Sequence, residues 1–280
     1  MKKNIIIALF LLVSVNLFAK QTLLVPVIGF STYSNSSKKS ELQIGIYTNI
    51  IKEDSIYEIA YEHKNTTYST TQSDTNQNDF TFLYTYKKSS SLKYRGAIHY
   101  IFSSIKKDNN SFITLLGIEK ANKKIVYGIN ASLSQYTNDS LTNYAYQLNP
   151  YFGIYYGEVN SFMGNFFTKI SYDSIYLDGS NQNLDEVYKS FTINITQNKG
   201  KFINTLRYWT GEQLYAVKDN ALTVYNLSDV YSGGFLLSTK YKFSKKYIVQ
   251  LSYINEDFKT YGTDTESSIN KYLISTTFNY

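Results

Sequence analysis

Large and polar side chains alternate along most of the chain with a period of two residues. The segment FTFLYTYKK places four rings on one face: Phe80, Phe82, Tyr84 and Tyr86. LKYRGAIHYIF, IVYGINASL and KYLISTTFNY alternate in the same way, and YSGGFLLSTKYKF assigns Tyr231 and Leu237 to one face. A period of two is that of a β-strand, and the helical spacing of three and four is nowhere sustained. The chain is therefore predicted to be all-β.

Short and long connections alternate between these runs. Short turns are predicted at Lys52-Glu53, Ser89-Ser90, Lys120–Asn122, Glu158-Val159, Lys199-Gly200 and Ser244-Lys245. The longer polar stretches between them are Thr66–Asn78, Asp173–Glu186, Glu212–Ser228 and Thr260–Asn270. This is the pattern of an up-and-down meander whose two ends differ. It predicts about 14 strands, or 12 if the two least regular segments, Leu23–Tyr33 and SFITLLGIEK, do not form.

The first part of the chain has a different pattern. Lys2 and Lys3 precede an apolar run from Ile5 to Val15, and Ala19 offers a small residue for cleavage. This is the layout of a secretory signal peptide, and the apolar run is too short to cross a bilayer as a helix. We therefore predict a signal peptide over residues 1–19 and one exported barrel domain over residues 20–280.

Composition separates the two all-β architectures, a soluble sandwich and a membrane barrel. The chain contains 29 Tyr and 17 Phe, and its polar faces carry Lys, Arg, Glu and Asn in mid-strand. A dry core does not accept those charged side chains, whereas a membrane barrel turns its rings toward lipid and its polar residues toward the lumen. The predicted fold is therefore a single transmembrane antiparallel up-and-down β-barrel.

The last strand-like segment has a pattern of its own. KYLISTTFNY places Tyr272, Ile274, Phe278 and Tyr280 at alternate positions. In this the chain resembles the β-barrel proteins of the Gram-negative outer membrane, and its size and strand number are similar to those of monomeric porins. The resemblance implies that these four residues form a C-terminal signal read by the barrel-assembly machinery, with Thr276 a mild departure. It further implies an outer-membrane location, a monomer, and contact with membrane lipid and lipopolysaccharide.

Enzymatic chemistry has little support in the sequence. There is no cysteine, and the two histidines, His63 and His99, fall on different strands, so no thiolate site or His-rich metal cluster can form. No hydrolase partner accompanies His99, which we interpret as a solvated lumen histidine. The segment Asp178–Glu186 lacks the carboxylate spacing of an EF-hand. We predict no enzyme, no catalytic or metal-binding residue and no cofactor; the net charge of +6 is too small to indicate nucleic acid.

The non-aromatic faces supply a candidate pore lining. Assigned inward, they carry the basic residues Lys87, Lys93, Arg95, Lys124, Lys169, Arg207, Lys240 and Lys242, against the acids Glu41, Glu58 and Glu62. We predict that the pore is lined by Lys93, Arg95, His99, Lys169, Arg207, Lys240, Glu58 and Glu62, with Arg95, Lys169 and Arg207 at mid-depth. Such an excess of basic side chains favours anions weakly.

A barrel of this strand number leaves an aqueous lumen. Nothing in the sequence indicates a plug, although an inward fold of Glu212–Ser228 would narrow the pore. The predicted function is passive diffusion of small hydrophilic solutes across the outer membrane. Two alternatives stay open: a surface-exposed structural or interaction barrel with no open channel, and a lipid-modifying outer-membrane enzyme that would depend on His99.

Overall fold

The structure is a computed structural model that describes residues 20–69, 73–104, 111–136, 144–158, 161–178, 185–225, 229–260 and 265–280. The predicted signal peptide over residues 1–19 and most of the segment Asp178–Glu186 lie outside these residues. No helix among the described residues is long and apolar enough to cross a membrane.

Fourteen long antiparallel strands close into one barrel. In chain order they are β1 Gln21–Ser34, β2 Lys38–Ile51, β3 Ser55–Tyr68, β4 Thr75–Lys87, β5 Leu92–Ser103, β6 Ser111–Ala121, β7 Ile125–Gln135, β8 Tyr144–Gly157, β9 Asn165–Asp178, β10 Val187–Lys199, β11 Phe202–Gln213, β14 Asp229–Lys242, β15 Tyr247–Thr260 and β16 Glu266–Asn279. Two short strands, β12 Val217–Lys218 and β13 Thr223–Val224, form a separate hairpin between β11 and β14. β16 pairs with β1 and closes the sheet. The predicted all-β barrel of 14 strands is confirmed, and both irregular segments form strands, as β1 and β6.

The two ends of the barrel differ as predicted. Connections 52–54, 88–91, 122–124, 200–201 and 243–246 lie at one end, together with the start of β1 and the end of β16; we call it the short-turn end. The opposite, long-loop end carries the connection 214–228. Most long connections are shorter than predicted, because the strands continue into polar sequence. β3 runs to Tyr68 and β4 begins at Thr75, both within the predicted loop Thr66–Asn78.

The outer face of the barrel is apolar. Outward side chains that are more than 40% exposed include Ile28, Phe30, Ile44, Phe80, Ile98, Leu116, Phe152, Leu206 and Leu251. Monomeric proteins in water rarely expose a contiguous apolar surface of this extent, whereas membrane barrels present such a band to lipid. Tyr272 and Ile274 of the last strand belong to this surface, being 54% and 48% exposed. We call it the outer belt.

A bulge changes the face of one predicted residue. The pairing of β14 with β15 shifts register between Tyr231 and Gly233. A bulge inserts one residue into a strand, so the side chains on either side of it change faces. Tyr231 therefore points inward, where it packs with Trp209 and Phe258, while Leu237 is 48% exposed on the outer belt. The prediction that Tyr231 and Leu237 share a face is wrong for this reason.

Candidate functional site: the barrel lumen

The connection between β11 and β14 folds into the barrel. Residues 214–225 contain β12, a 3-10 turn at Asp219–Ala221 and β13; we call them the inner hairpin. Leu214, Tyr215 and Ala216 are at most 1% exposed. The inward fold of Glu212–Ser228, which the sequence left open as a way to narrow the pore, is thus present in the part of this segment that the structure describes. The expectation that nothing in the chain obstructs the lumen is wrong, because this hairpin occupies part of it.

Apolar contacts hold the inner hairpin against two parts of the barrel wall. Val217, Ala221 and Val224 pack in one cluster with Leu83, Ala97, Ile101, Ile113 and Leu115 of β4, β5 and β6. Residues 214–216 pack in a second cluster with Tyr136, Ala145, Ile175, Leu177 and Tyr188. Side chains that face a water-filled barrel lumen are polar as a rule, so inward apolar side chains need an explanation. Their presence on these strands is explained by the hairpin that covers them.

Two ion pairs also fasten the hairpin. Arg207 Nη2 and Nη1 donate to Asp219 Oδ1 and Oδ2 at 2.8 and 3.0 Å, and Lys218 Nζ lies 2.5 Å from Asp173 Oδ2. Burial acts to raise the pKa of the Asp219 carboxyl, but the charge of Arg207 and its hydrogen bonds outweigh burial and hold the pKa below its ordinary value. The carboxylate therefore stays ionised and paired well into the acid range.

Two uncharged side chains complete the attachment. Gln147 donates to the carbonyl of Val217 at 3.1 Å and accepts from its N–H at 2.7 Å, so it satisfies both polar groups of that residue. At the far side, the Tyr225 hydroxyl donates to Glu256. Burial and the Glu256 carboxylate raise the pKa of Tyr225 well above its ordinary value, which keeps the phenol a donor.

The tip of the inner hairpin has an unusual backbone. Asp219, Asn220 and Ala221 have φ angles of 49°, 58° and 69°. Asp and Asn enter the left-handed region at little cost, but Ala has no such tolerance, and its Cβ meets the following carbonyl. The tip is therefore held against its local preference by the contacts of Ala221, which is fully buried, and by the Arg207 pair.

A cavity of about 390 Å³ remains in the lumen beside the inner hairpin. Its lining mixes charged and polar side chains with aromatic and aliphatic ones such as Trp209 and Phe235, and it comes from opposite sides of the barrel. One side supplies Lys169, Ser171, Asn194 and Arg207, and the other supplies Glu41, Gln43, Glu62, Lys64 and Lys271. The hairpin tip contributes Asp219 and Asn220. Among the described residues, the free part of the lumen is thus an off-centre cavity between the hairpin and the wall.

Solved structures share this architecture, although no known protein family and no curated protein matches the sequence. The CymD monoaromatic hydrocarbon channel aligns with a TM-score of 0.57 and 10% identity over 93% of this chain and 88% of that one. The Ralstonia pickettii toluene transporter TbuX gives 0.59 and 7% over 93% and 89%, and the Acinetobacter baumannii outer membrane protein Omp33 gives 0.51 and 7% over 93% and 99%. The chain has the fold of an outer-membrane β-barrel. The outer belt agrees with that location, since it suits lipid and not water.

The outer-membrane barrel turns all eight predicted pore residues inward. Glu62, Lys169 and Arg207 line the cavity. Glu58, Lys93, Arg95, Lys169 and Lys240 lie within four residues of the strand ends at the short-turn end, so Arg95 and Lys169 are less central than predicted. His99 is only 2% exposed, and its Nδ1 lies 2.7 Å from Thr81 Oγ1. The interpretation of His99 as a solvated histidine is therefore wrong, since it is buried beside the hairpin residue Ala221.

The lumen of the outer-membrane barrel holds more acids than predicted. Asp79, Glu119, Asp173 and Glu256 face inward and are at most 9% exposed. Glu119 alone pairs with Lys93 at 2.9 Å and Arg95 at 2.5 Å. Glu119 falls in the segment whose faces the pattern left unclear, and Asp173 starts a predicted loop. Asp79 and Glu256 lie just beyond the ends of the alternating segments, and for these reasons the sequence count missed all four. The predicted balance of eight basic residues to three acids is wrong.

Several inward lysines keep an unneutralised charge, and two of them lie further from the strand ends than Lys87 and Lys242. Lys169 and Lys240 make no ion pair with a carboxylate among the described residues. Lys169 Nζ instead lies 4.1 Å from the centroid of the Tyr151 ring, a cation–π contact that holds the amine without cancelling its charge. The remaining positive charge of the passage is thus concentrated at few positions.

Proposed function

We propose that this outer-membrane barrel is a channel that passes small hydrophilic solutes by passive diffusion. The observation that carries the proposal is the cavity of about 390 Å³ beside the inner hairpin, whose lining carries charged side chains from opposite walls of the barrel. Eight strands enclose only enough room for side chains, whereas fourteen enclose a wider lumen that one hairpin does not fill. Two structural neighbours are a channel and a transporter for aromatic hydrocarbons by their names. The charged lining here favours polar solutes instead, because an apolar solute gains nothing from Lys169, Glu62 or Arg207.

The proposed channel prefers anions weakly. Lys93 and Arg95 share one ion-pair partner, Glu119, and so leave a positive charge. The carboxylate of Glu58, inward in the same half of the lumen and without an ion pair among the described residues, offsets that charge. Lys169 and Lys240 add their own positive charges, and all four basic residues lie in the half of the lumen nearer the short-turn end. Side chains of one sign along a narrow passage concentrate the opposite ion. The preference is small because most other basic groups in the lumen are paired.

Planar-bilayer recording tests the proposal. We expect refolded protein to give stable conductance steps and a reversal potential that shows weak anion preference in a KCl gradient. Lys169→Glu should move the reversal potential toward cation preference, because it reverses a charge that makes no ion pair among the described residues. A wild-type barrel with clear cation preference would refute the charge assignment. A folded, heat-modifiable barrel that gives no steps would favour an interaction barrel without a channel.

The enzyme alternative has lost its structural support. It depended on a lumen histidine open to substrate, and His99 is 2% exposed beneath the inner hairpin. Its ring faces Thr81, with no carboxylate in hydrogen-bond contact among the described residues. Three structural neighbours are, by their names, a channel, a transporter and an outer membrane protein. A hydrolase would need a nucleophile and a base that substrate can reach.

The last strand is proposed to carry the signal for the barrel-assembly machinery. We expect Phe278→Ser combined with Tyr280→Ser to lower the amount of folded barrel in outer membranes several-fold, measured by heat-modifiable migration in gels. Phe202→Ser with Tyr208→Ser on β11 removes two comparable outward rings and serves as the control. Because the signal is read by a partner, refolding of purified protein into detergent should be similar for both. Equal losses in cells would contradict a role specific to β16.

A further inference from the structure

Three inward side chains stand side by side beneath the tip of the inner hairpin. Lys169 of β9 is in register with Asn194 of β10, and Asn194 is in register with Arg207 of β11. Partners on adjacent antiparallel strands lie about 5 Å apart. A cation, an amide and a second cation therefore form one continuous row, which we call the basic row. All three residues line the cavity.

Hydroxyl groups border the basic row on both sides. Toward the long-loop end, Ser171 is in register with Thr192; toward the short-turn end, Thr196 is in register with Thr205, their hydroxyls 3.3 Å apart. Within the row, Asn194 Oδ1 has no hydrogen-bond partner among the described residues. The row thus brings together two cations, a buried acceptor without a partner among the described residues, and several hydroxyls within the reach of one small molecule.

A carboxylate already lies on the basic row, and it belongs to the protein. Asp219 at the hairpin tip takes both hydrogen bonds of Arg207, and the charges of Lys169 and Lys218 act on the same carboxylate. The segment that presents it has three successive left-handed residues. Such a backbone relaxes when it is released. Of the two restraints on this backbone, the burial of Ala221 and the Arg207 pair, departure of Asp219 releases the second when another carboxylate takes its place.

We propose that the basic row is a binding site for small hydroxylated carboxylates, and that a solute carboxylate displaces Asp219 from Arg207. The exchange replaces one carboxylate by another, so no cation is left unpaired. The hydroxyls of the solute donate to Asn194 Oδ1 and bond with the bordering Ser and Thr groups. This inference rests on the proposed channel function and names the class of solute that binds inside the channel.

Binding can be measured without conduction. Trp209, the single tryptophan of the chain, is in register with Thr192 and lies two positions from Arg207 on the same strand. Its fluorescence in the refolded full-length barrel should therefore change when the row is occupied. We would titrate gluconate, acetate, glucose and inorganic phosphate. Gluconate should bind most tightly, acetate and phosphate more weakly because they lack the hydroxyl chain, and glucose least because it has no carboxylate.

Four variants separate the parts of the proposal. Lys169→Met should weaken gluconate binding about tenfold, the effect of one charge-assisted hydrogen bond. Lys240→Met, which removes an equally unpaired inward charge away from the row, should change it less than about twofold. Asn194→Leu should weaken gluconate but leave acetate unchanged. Asp219→Asn should tighten gluconate several-fold, because it removes the internal competitor.

Several results would overturn the proposal. Equal losses in Lys169→Met and Lys240→Met would show only a general charge effect. Unchanged or weaker binding in Asp219→Asn would end the displacement step, and phosphate or acetate binding as tight as that of gluconate would end the role of the hydroxyls. Heat-modifiable migration establishes that each variant is folded. A barrel that binds gluconate as expected but gives no bilayer current would contradict the proposed channel function and would support the proposed binding site.

Discussion

Single-channel conductance should rise several-fold when residues 214–228 are replaced by a Gly/Ser turn of about four residues, enough to join two antiparallel strands. The inner hairpin fills the part of the lumen next to β4–β6 and β8–β10, where its apolar residues are buried. Its removal leaves a passage limited by the wall alone, and conductance grows with the open cross-section. The measurement is the step size in planar bilayers at fixed salt.

A full-length variant checks that the hairpin, and not the loop length, limits the current. Ala221→Asp places a charge among Leu83, Ile101 and Ile113 and should detach the tip, giving a smaller and less regular increase in conductance. Thr223→Ser, at an exposed position of the same hairpin, should leave the step size as in wild type. If the shortened barrel conducts like wild type, the hairpin does not limit the pore and its attachments serve stability alone.

The fold could be predicted because each strand of a membrane barrel carries the alternating sequence pattern of the barrel by itself. Aromatic and polar side chains must alternate wherever a strand separates lipid from lumen. The number of alternating segments therefore predicted the number of strands. Local pattern fails where a backbone irregularity changes the period. The bulge at Tyr231 leaves the composition of β14 unchanged and reverses the faces beyond it. Strand ends such as Tyr68 also depend on pairing with a neighbour and not on side-chain polarity.

The lumen could be predicted only in part, because the inner hairpin is a contact between distant segments. SFITLLGIEK did not show a clean alternation, and the structure gives the reason: Ile113 and Leu115 face inward and are buried under Val217 and Val224. The same hairpin covers His99. A strand with apolar residues on both faces is therefore the sequence signal for something bound inside the barrel. The identity of that segment is not contained in the strand itself.

The prediction of the charge in the lumen was limited for the same reason. Glu119 lies on the strand whose faces were unclear, and Asp173 at the start of a predicted loop. Both pair with lysines or arginines of other strands, Glu119 with Arg95 and Asp173 with Lys218. Ion pairs across a barrel join residues far apart in the chain, so a count of inward basic residues overstates the field that a solute meets. The basic side chains that make no ion pair, Lys169 above all, are the ones that determine this field.

Leu116→Arg should destabilise the barrel in phospholipid vesicles by about 2–4 kcal/mol, the cost of a basic side chain near the bilayer midplane. Leu116 is 71% exposed on the outer belt and lies at the middle of β6. In water an arginine at an exposed surface position costs little, within about 0.5 kcal/mol. A large loss is therefore expected only if this surface faces hydrocarbon. Reversible urea unfolding in vesicles, followed by the fluorescence of Trp209, gives the free energy of unfolding.

Met163→Arg provides the matched control. Met163 is 56% exposed in the connection between β8 and β9, at the short-turn end. Near the membrane surface the same substitution costs about 0–1 kcal/mol, because the guanidinium reaches water. The difference between the two variants thus measures depth in the bilayer, independently of any general effect of adding a charge. Similar small losses for both would show that the outer belt at Leu116 does not lie in hydrocarbon, and the outer-membrane assignment would then have to be abandoned.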